Sequence, residues 1–156
     1  MTIRTSDTDR GEKRIRKSLK NLDGKQVVIG INEGAGEYPN GVAIALVGFW
    51  HEYGTSNMPA RSFIRAAIDK NIKTIESRRA KLLGDVLVGR MSETLALEQL
   101  GFMISEMIKT YINQMLRPRL APSTVAAKAR AGFAPPEKPL IATRTLVRSI
   151  TYKVDK

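Results

Sequence analysis

His51 is the only histidine in the chain, and Glu52 follows it directly. A histidine beside a carboxylate is the smallest set that can hold a metal or pass a proton. A zinc-protease helix needs a second histidine four residues on; that position is Thr55. No nucleophile elbow is present. His51 is therefore read as structural, packed at a helix end or at a subunit contact. Gly30, Gly34 and Gly36 follow an apolar run, as in a phosphate loop. The dinucleotide fingerprint fails, because Pro39 takes the place of its third glycine and no helix begins there. There is no Gly-Lys-Ser/Thr. The 15 acidic residues are scattered, whereas a two-metal nuclease must bring several carboxylates onto shared ions. Glu93, Glu98 and Glu106 fall on one predicted helix, but their spacing does not stack them on one face. No catalytic residue, cofactor or metal site is assigned.

Charge says more than any of these candidates. The formal net charge is +11 and the pI is near 10.2, a field that draws polyanions or acidic protein surfaces. Arg10, Lys13, Arg14, Arg16, Lys17 and Lys20 crowd one early segment. The stretch beyond Leu116 carries Arg117, Arg119, Lys128, Arg130, Lys138, Arg144, Arg148, Lys153 and Lys156 against Glu137 and Asp155 alone. Two readings stay open: solvated faces, or a basic surface facing DNA or an acidic protein ring. A helix that reads base edges sets Asn or Gln beside its Arg and Lys; here Lys and Arg dominate the first segment. The aromatic interleaving of single-strand binders is missing. Contact with phosphate would be non-specific, and a non-specific nucleic-acid-binding protein is the alternative function.

The remaining composition bounds the class. With 156 residues, 42% of them hydrophobic, the chain suits one globular domain over 1–156. No apolar run is long enough to span a bilayer, and no membrane partner is expected. The polar N-terminus lacks the apolar stretch of a signal peptide. Without cysteine, disulfides and thiolate metal sites are excluded, which suits a reducing cytoplasm or an assembly built there.

The elements that would position these residues follow from periodicity. Residues 8–22 read as a basic helix with Ile15, Leu19 and Leu22 on one side, capped by Asp7 or Asp9. Asp23-Gly24 makes a turn. Val27–Ile31 is β-branched and reads as a strand. Residues 32–41 form a candidate mobile loop, where Gly34, Gly36, Pro39 and Asn40-Gly41 oppose regular structure. Val42–Tyr53 reads as a buried helix ending at Gly54, which suits a left-handed C′ position. Pro59 suits the first turn of the next helix, which runs to about Val88 with Ile64, Ile68, Ile72, Ile75, Leu82 and Val86 on one face. Ser92 caps a second long helix to about Leu116, with a stripe of Leu100, Met103, Ile104, Met107, Ile108, Tyr111 and Met115. Its methionines suit adaptable core filler or a plastic subunit contact. Pro118 stops it. Residues 117–142 are irregular, apart from a short helix over Ser123–Arg130. A helical turn at Thr143–Ser149 precedes a closing strand, Ser149–Val154. The fold class is α+β: a small antiparallel sheet of the two strands, packed with several helices, two of them long.

Two segments together resemble the neck or tail-completion proteins of tailed bacteriophages, minor tail components also called virion morphogenesis proteins. The first is His51-Glu52-Tyr53-Gly54-Thr55 followed by Met58-Pro59-Ala60-Arg61-Ser62-Phe63-Ile64. That family usually shows His or Glu ahead of Gly, then Ile/Met-Pro-Ala-Arg-Pro-Phe-Leu; Ser62 stands where proline is common. The second joins Ser123–Lys128, Lys138-Pro139-Leu140-Ile141, Thr143, Leu146 and Ser149-Ile150-Thr151-Tyr152. The family pattern is Pro-Leu-Ile-Asp-Thr-Gly, a Leu, and a Ser-Ile strand; here Ala142-Thr143-Arg144 replaces Asp-Thr-Gly. The resemblance runs from about residue 8 to the C-terminus. It implies a non-enzymatic virion protein of the head–tail junction, assembled in the bacterial host cytoplasm. It further implies a homo-oligomeric ring, its subunit number a multiple of six, that completes the tail or joins it to the capsid. Neighbouring connector and tail proteins would be its partners, with packaged DNA met through phosphate contacts. His51, Gly54, Pro59, Ala60, Arg61, Phe63, Pro139, Leu140, Thr143, Leu146 and Ser149 would be its structural residues. Phe63 is expected to anchor the long helix, and Arg61 to satisfy carbonyls at the preceding helix end. The basic helix and the 32–41 loop are the expected contact surfaces.

Overall fold

The structure, a computed structural model, describes residues 10–115 and 117–155. Helix α1 spans Arg10–Leu22 and strand β1 Gln26–Ile31. After a 3-10 turn at Glu33–Ala35 come α2 (Ile44–Tyr53), α3 (Phe63–Leu87), α4 (Glu93–Gln114), α5 (Pro122–Arg130), α6 (Thr145–Arg148) and β2 (Ile150–Asp155). The α+β class is as expected. Strands β1 and β2 pair antiparallel, with Gln26 opposite Asp155 and Ile31 opposite Ile150. The capping residues expected at Asp7 or Asp9 lie outside the described residues.

The two long helices pack along each other, and α4 also carries the sheet. Helix α4 is therefore buried on two sides. Its innermost line is Ala96, Ile104, Ile108 and Ile112, while Leu100, Met103, Met107 and Tyr111 pack at its flank. The expected stripe is rotated by a fraction of a turn, because the sheet covers a second face. Ser92 caps α4 as expected, accepting from Leu95 N–H at 3.3 Å. The helix closes at Gln114, within two residues of the expected end. Where the sheet crosses α4, Gly101 leaves no room for a side chain. A Cβ there would sit 2.6 Å from Tyr152 Cδ2 and 2.7 Å from Val27 Cγ2.

The main core joins Ile44, Phe63, Ala67, Ile104, Ile108, Ile112, Ile141, Leu146 and Ile150. Burying a side chain the size of Phe63 contributes ~2–3 kcal/mol. A second small cluster of Leu82, Val86 and Ala96 takes in Leu22 from α1.

Four expectations need correction. Pro59 does not open α3, which begins four residues later at Phe63. A tight turn closed by Thr55 and Met58 precedes Pro59, and residues 59–62 are not helical, so proline serves an extended stretch instead. Helix α2 is not a buried helix: Leu46, Phe49, Trp50 and Tyr53 are all exposed. It is apolar on every side up to Trp50, and the protein covers only the side bearing Ile44, Gly48 and Glu52. The 32–41 loop holds a little regular structure despite its glycines. Beyond its 3-10 turn, Tyr38 N–H donates to Val42 O at 2.9 Å and Ile44 N–H to Gly36 O at 3.1 Å. Finally, Ile15 and Leu19 are exposed, as is Ile72 on α3. Helix α1 rests instead on a line through Ser18 and Leu22, with Ser18 Oγ reaching Val86 O at 3.4 Å.

Candidate functional site

The joint between α2 and α3 gathers most of the singled-out residues. Gly54 ends α2 at φ 80, ψ 175, a backbone region that belongs to glycine. Its N–H donates to Trp50 O at 2.8 Å. The chain then loops back, and Arg61 N–H donates to His51 O at 2.6 Å. Ser62 Oγ donates to Glu52 O at 2.8 Å. Glu52, although a carboxylate, is 6% exposed. Its oxygens accept from Ile64 N–H at 2.9 Å and Arg65 N–H at 3.1 Å. These are first-turn donors of α3, left without intrahelical partners, and the positive end of the helix dipole favours an anion there. Glu52 is thus the cap of the next helix rather than a partner in catalysis.

Arg61 is buried, but its guanidinium does not serve the preceding helix. Nε donates to Pro118 O at 3.1 Å and a terminal nitrogen to Arg119 O at 3.3 Å. The carbonyl at the end of α2 is satisfied by the Arg61 backbone instead. Phe63 is wholly buried, as an anchor of α3 should be, while Pro59 and Ala60 lie exposed. His51 Nδ1 is buried with no hydrogen-bond partner. Burial, and secondarily the Arg61 charge, push the imidazole pKa down to about 4, so His51 is neutral at pH 7.

The second set of singled-out residues packs onto the same core. Pro139 is fully buried, and Ile141 and Leu146 join Phe63 in the main cluster. Leu140 and Arg144 both adopt φ 60. Thr143 Oγ1 lies 2.7 Å from Thr145 Oγ1, and Ser149 Oγ donates to Leu146 O at 2.8 Å. Lys128 of α5 clamps this segment from outside. Its Nζ donates to Lys138 O at 2.6 Å and Ile141 O at 2.9 Å. Desolvation lowers the Lys128 pKa.

The acidic residues do not converge. Glu93 accepts from Asn21 at 3.2 Å, and Glu106 pairs with Lys109 at 2.8 Å. Among the described residues, no three of His, Cys, Asp and Glu come close enough to share a metal ion.

The surface is where unspent chemistry lies. Phe49 and Tyr53 lie one turn apart on α2 with ring centroids 4.8 Å apart, 58% and 62% exposed. They overhang an open groove of about 400 Å³ whose floor includes Ile31, Ile64 and Ile68. On α1, Lys13, Arg14, Arg16, Lys17 and Lys20 are exposed, and the Arg10 backbone opens the helix. Arg14 lies against Gly89, and Arg16 pairs with Glu12 at 2.6 Å.

The functional residues that sequence reasoning missed are Glu52 as a helix cap and Lys128 as a clamp. Both act on backbone groups distant in sequence, and residue type alone carries no sign of that. Compared with known proteins, the chain matches no family model, no curated protein and no solved structure.

Proposed function

We infer that this protein is a structural component that works by self-association, as a ring-forming subunit at the head–tail junction of a tailed phage. The observation that carries the self-association is the uncovered side of α2. Leu46, Phe49, Trp50 and Tyr53 are exposed on one short helix beside an apolar groove. Aromatic residues concentrated in this way are enriched in protein interfaces, and large exposed apolar patches mark interaction sites.

The phage reading is supported by the sequence resemblance. The residues carrying it are structural in character: Glu52, Arg61, Phe63, Pro139, Ile141 and Leu146 are buried, and they tie the α2–α3 joint, the chain after α4 and the approach to β2 to one core. A ring needs two different complementary patches on each subunit. The α2 side with its groove offers one of them.

Light scattering and electron micrographs of the purified chain test this reading. Closed rings are expected. A monomer at every concentration overturns self-association. Phage particles that mature and infect normally without the protein overturn the neck role.

A further inference from the structure

We propose that the solvent face of α1 binds the phosphate backbone of double-stranded DNA, without sequence preference, through Lys13, Arg16, Lys17 and Lys20. These four occupy positions i, i+3, i+4 and i+7, so they form one row along a single helix face. All four are exposed. From Lys13 to Lys20 the row spans seven residue steps, ~10 Å of helix axis, which matches the axial rise of about three successive phosphates on one strand.

The opposite face of α1 is fixed. Ser18 is buried with its hydroxyl on Val86 O, and Leu22 packs with Leu82, Val86 and Ala96. Asn21 donates to Glu93. The helix is thereby held with its cations outward. Arg14 is turned aside onto Gly89, so it is left out of the row. Like charges one turn apart repel, and only Glu12 on this helix opposes them, through an exposed pair with Arg16. Glu93 at the start of α4 lies within electrostatic reach of Lys17, though Asn21 holds it too. A linear polyanion relieves the repulsion along the whole row.

Two other occupants fit less well. A membrane surface takes up the whole apolar face of an amphipathic helix. Here Ile15 and Leu19 stay exposed on that side, but Ser18 and Leu22 beside them are held on Val86 and its cluster, so no continuous apolar face is free. A folded acidic protein meets interfaces depleted in lysine, whereas three of these four residues are lysines. The surface belongs to α1 alone and does not depend on ring formation.

The test is fluorescence anisotropy of the full chain with a labelled duplex of arbitrary sequence, titrated at several salt concentrations. The slope of log K against log salt should lie between about −2.7, for the three lysines, and about −3.6, when Arg16 leaves Glu12 for phosphate. Between about 50 and 200 mM salt, affinity then falls about 40- to 150-fold. Combining Lys13→Gln, Arg16→Gln, Lys17→Gln and Lys20→Gln should flatten the slope. A control with the same loss of charge (Lys73→Gln, Arg79→Gln, Lys81→Gln and Arg130→Gln) should keep it. Lys20→Gln alone should reduce the slope by about 0.9, which keeps the test open should the fourfold variant fold poorly. Equal loss from both fourfold sets, no binding at low salt, or equally tight binding of polyglutamate overturns the proposal. Rings formed by the α1 variant in micrographs would show that the two surfaces fail separately.

Discussion

The carboxylate of Glu52, in the last turn of α2, accepts the backbone N–H of Ile64 at 2.9 Å, in the first turn of α3. Its second oxygen takes Arg65 N–H at 3.1 Å, and Ser62 Oγ reaches back to the Glu52 carbonyl. One residue thus caps a helix that starts eleven positions later, and the angle between α2 and α3 is set by its reach. That angle also fixes the groove below Phe49 and Tyr53, since Ile64 and Ile68 line it from the α3 side. Packing at the joint is in this way linked to the surface proposed to meet a second copy.

Glu52→Ala should remove two charge-assisted bonds and leave two part-buried donors unpaired. The expected loss is ~2–3 kcal/mol, read as a lower midpoint in urea unfolding. An unchanged midpoint would mean that water serves α3 equally well.

His51 gives the stability a pH dependence of defined sign. Its pKa falls from the ordinary 6.5 to about 4 in the folded state. Between those values the unfolded chain binds the extra proton, so stability is present above pH 6.5 and is lost as pH falls toward 4. The side chain is partly exposed, and after screening the effect is ~1–2 kcal/mol. His51→Gln should flatten the difference between unfolding measured at pH 7 and near pH 4. A variant with the same pH profile as the parent would place the dependence on the carboxylates alone.

Much of this architecture was legible in the sequence, for reasons that particular residues show. Ser92 ahead of an apolar stripe announced α4, and β-branched Val27–Ile31 announced β1; both signals are local. Pro59 misled because proline suits an extended stretch as well as a first helical turn, and the decision came from Glu52 and Ser62 further along. Helix α2 misled for a different reason. Its apolar content points to burial, yet composition does not say whether anything in the same chain covers it. Arg61 reads as structural from its motif, but its partners at Pro118 and Arg119 are set by tertiary packing.

Gly101→Ala should test the contact between α4 and the sheet. The added Cβ meets Tyr152 and Val27 at distances real side chains do not tolerate, so overpacking should cost ~1–3 kcal/mol. Gly84→Ala on α3 is the control. Nothing lies within 4 Å of a Cβ there, and the helix should gain ~0.5–1 kcal/mol. Opposite shifts in melting temperature are expected, and equal shifts would place the sheet further from α4.

Arg144→Gly should stabilise the protein. Arg144 sits at φ 60, ψ 8, a left-handed conformation that costs a side-chain-bearing residue ~1–2 kcal/mol. It is also the position where the phage family pattern carries glycine. Part of the gain is offset by the greater freedom of glycine in the unfolded chain, leaving ~0.5–1 kcal/mol. The side chain is exposed, so little packing is lost. A melting temperature that falls would mean that the turn before Leu146 is held by the arginine itself.

Trp50 is the only tryptophan of the chain, and it lies on the side of α2 proposed to meet a second copy. At 37% exposure its emission reports directly on whether that side becomes covered. Raising the protein concentration should shift the emission to shorter wavelength as subunits associate, in step with the mass measured by light scattering. Phe49→Glu combined with Tyr53→Glu should hold the emission at its dilute value and keep the chain monomeric. Both residues are exposed, so the circular dichroism should not change. If mass rises while Trp50 emission stays constant, assembly proceeds through another surface, and the α2 side must have a different partner.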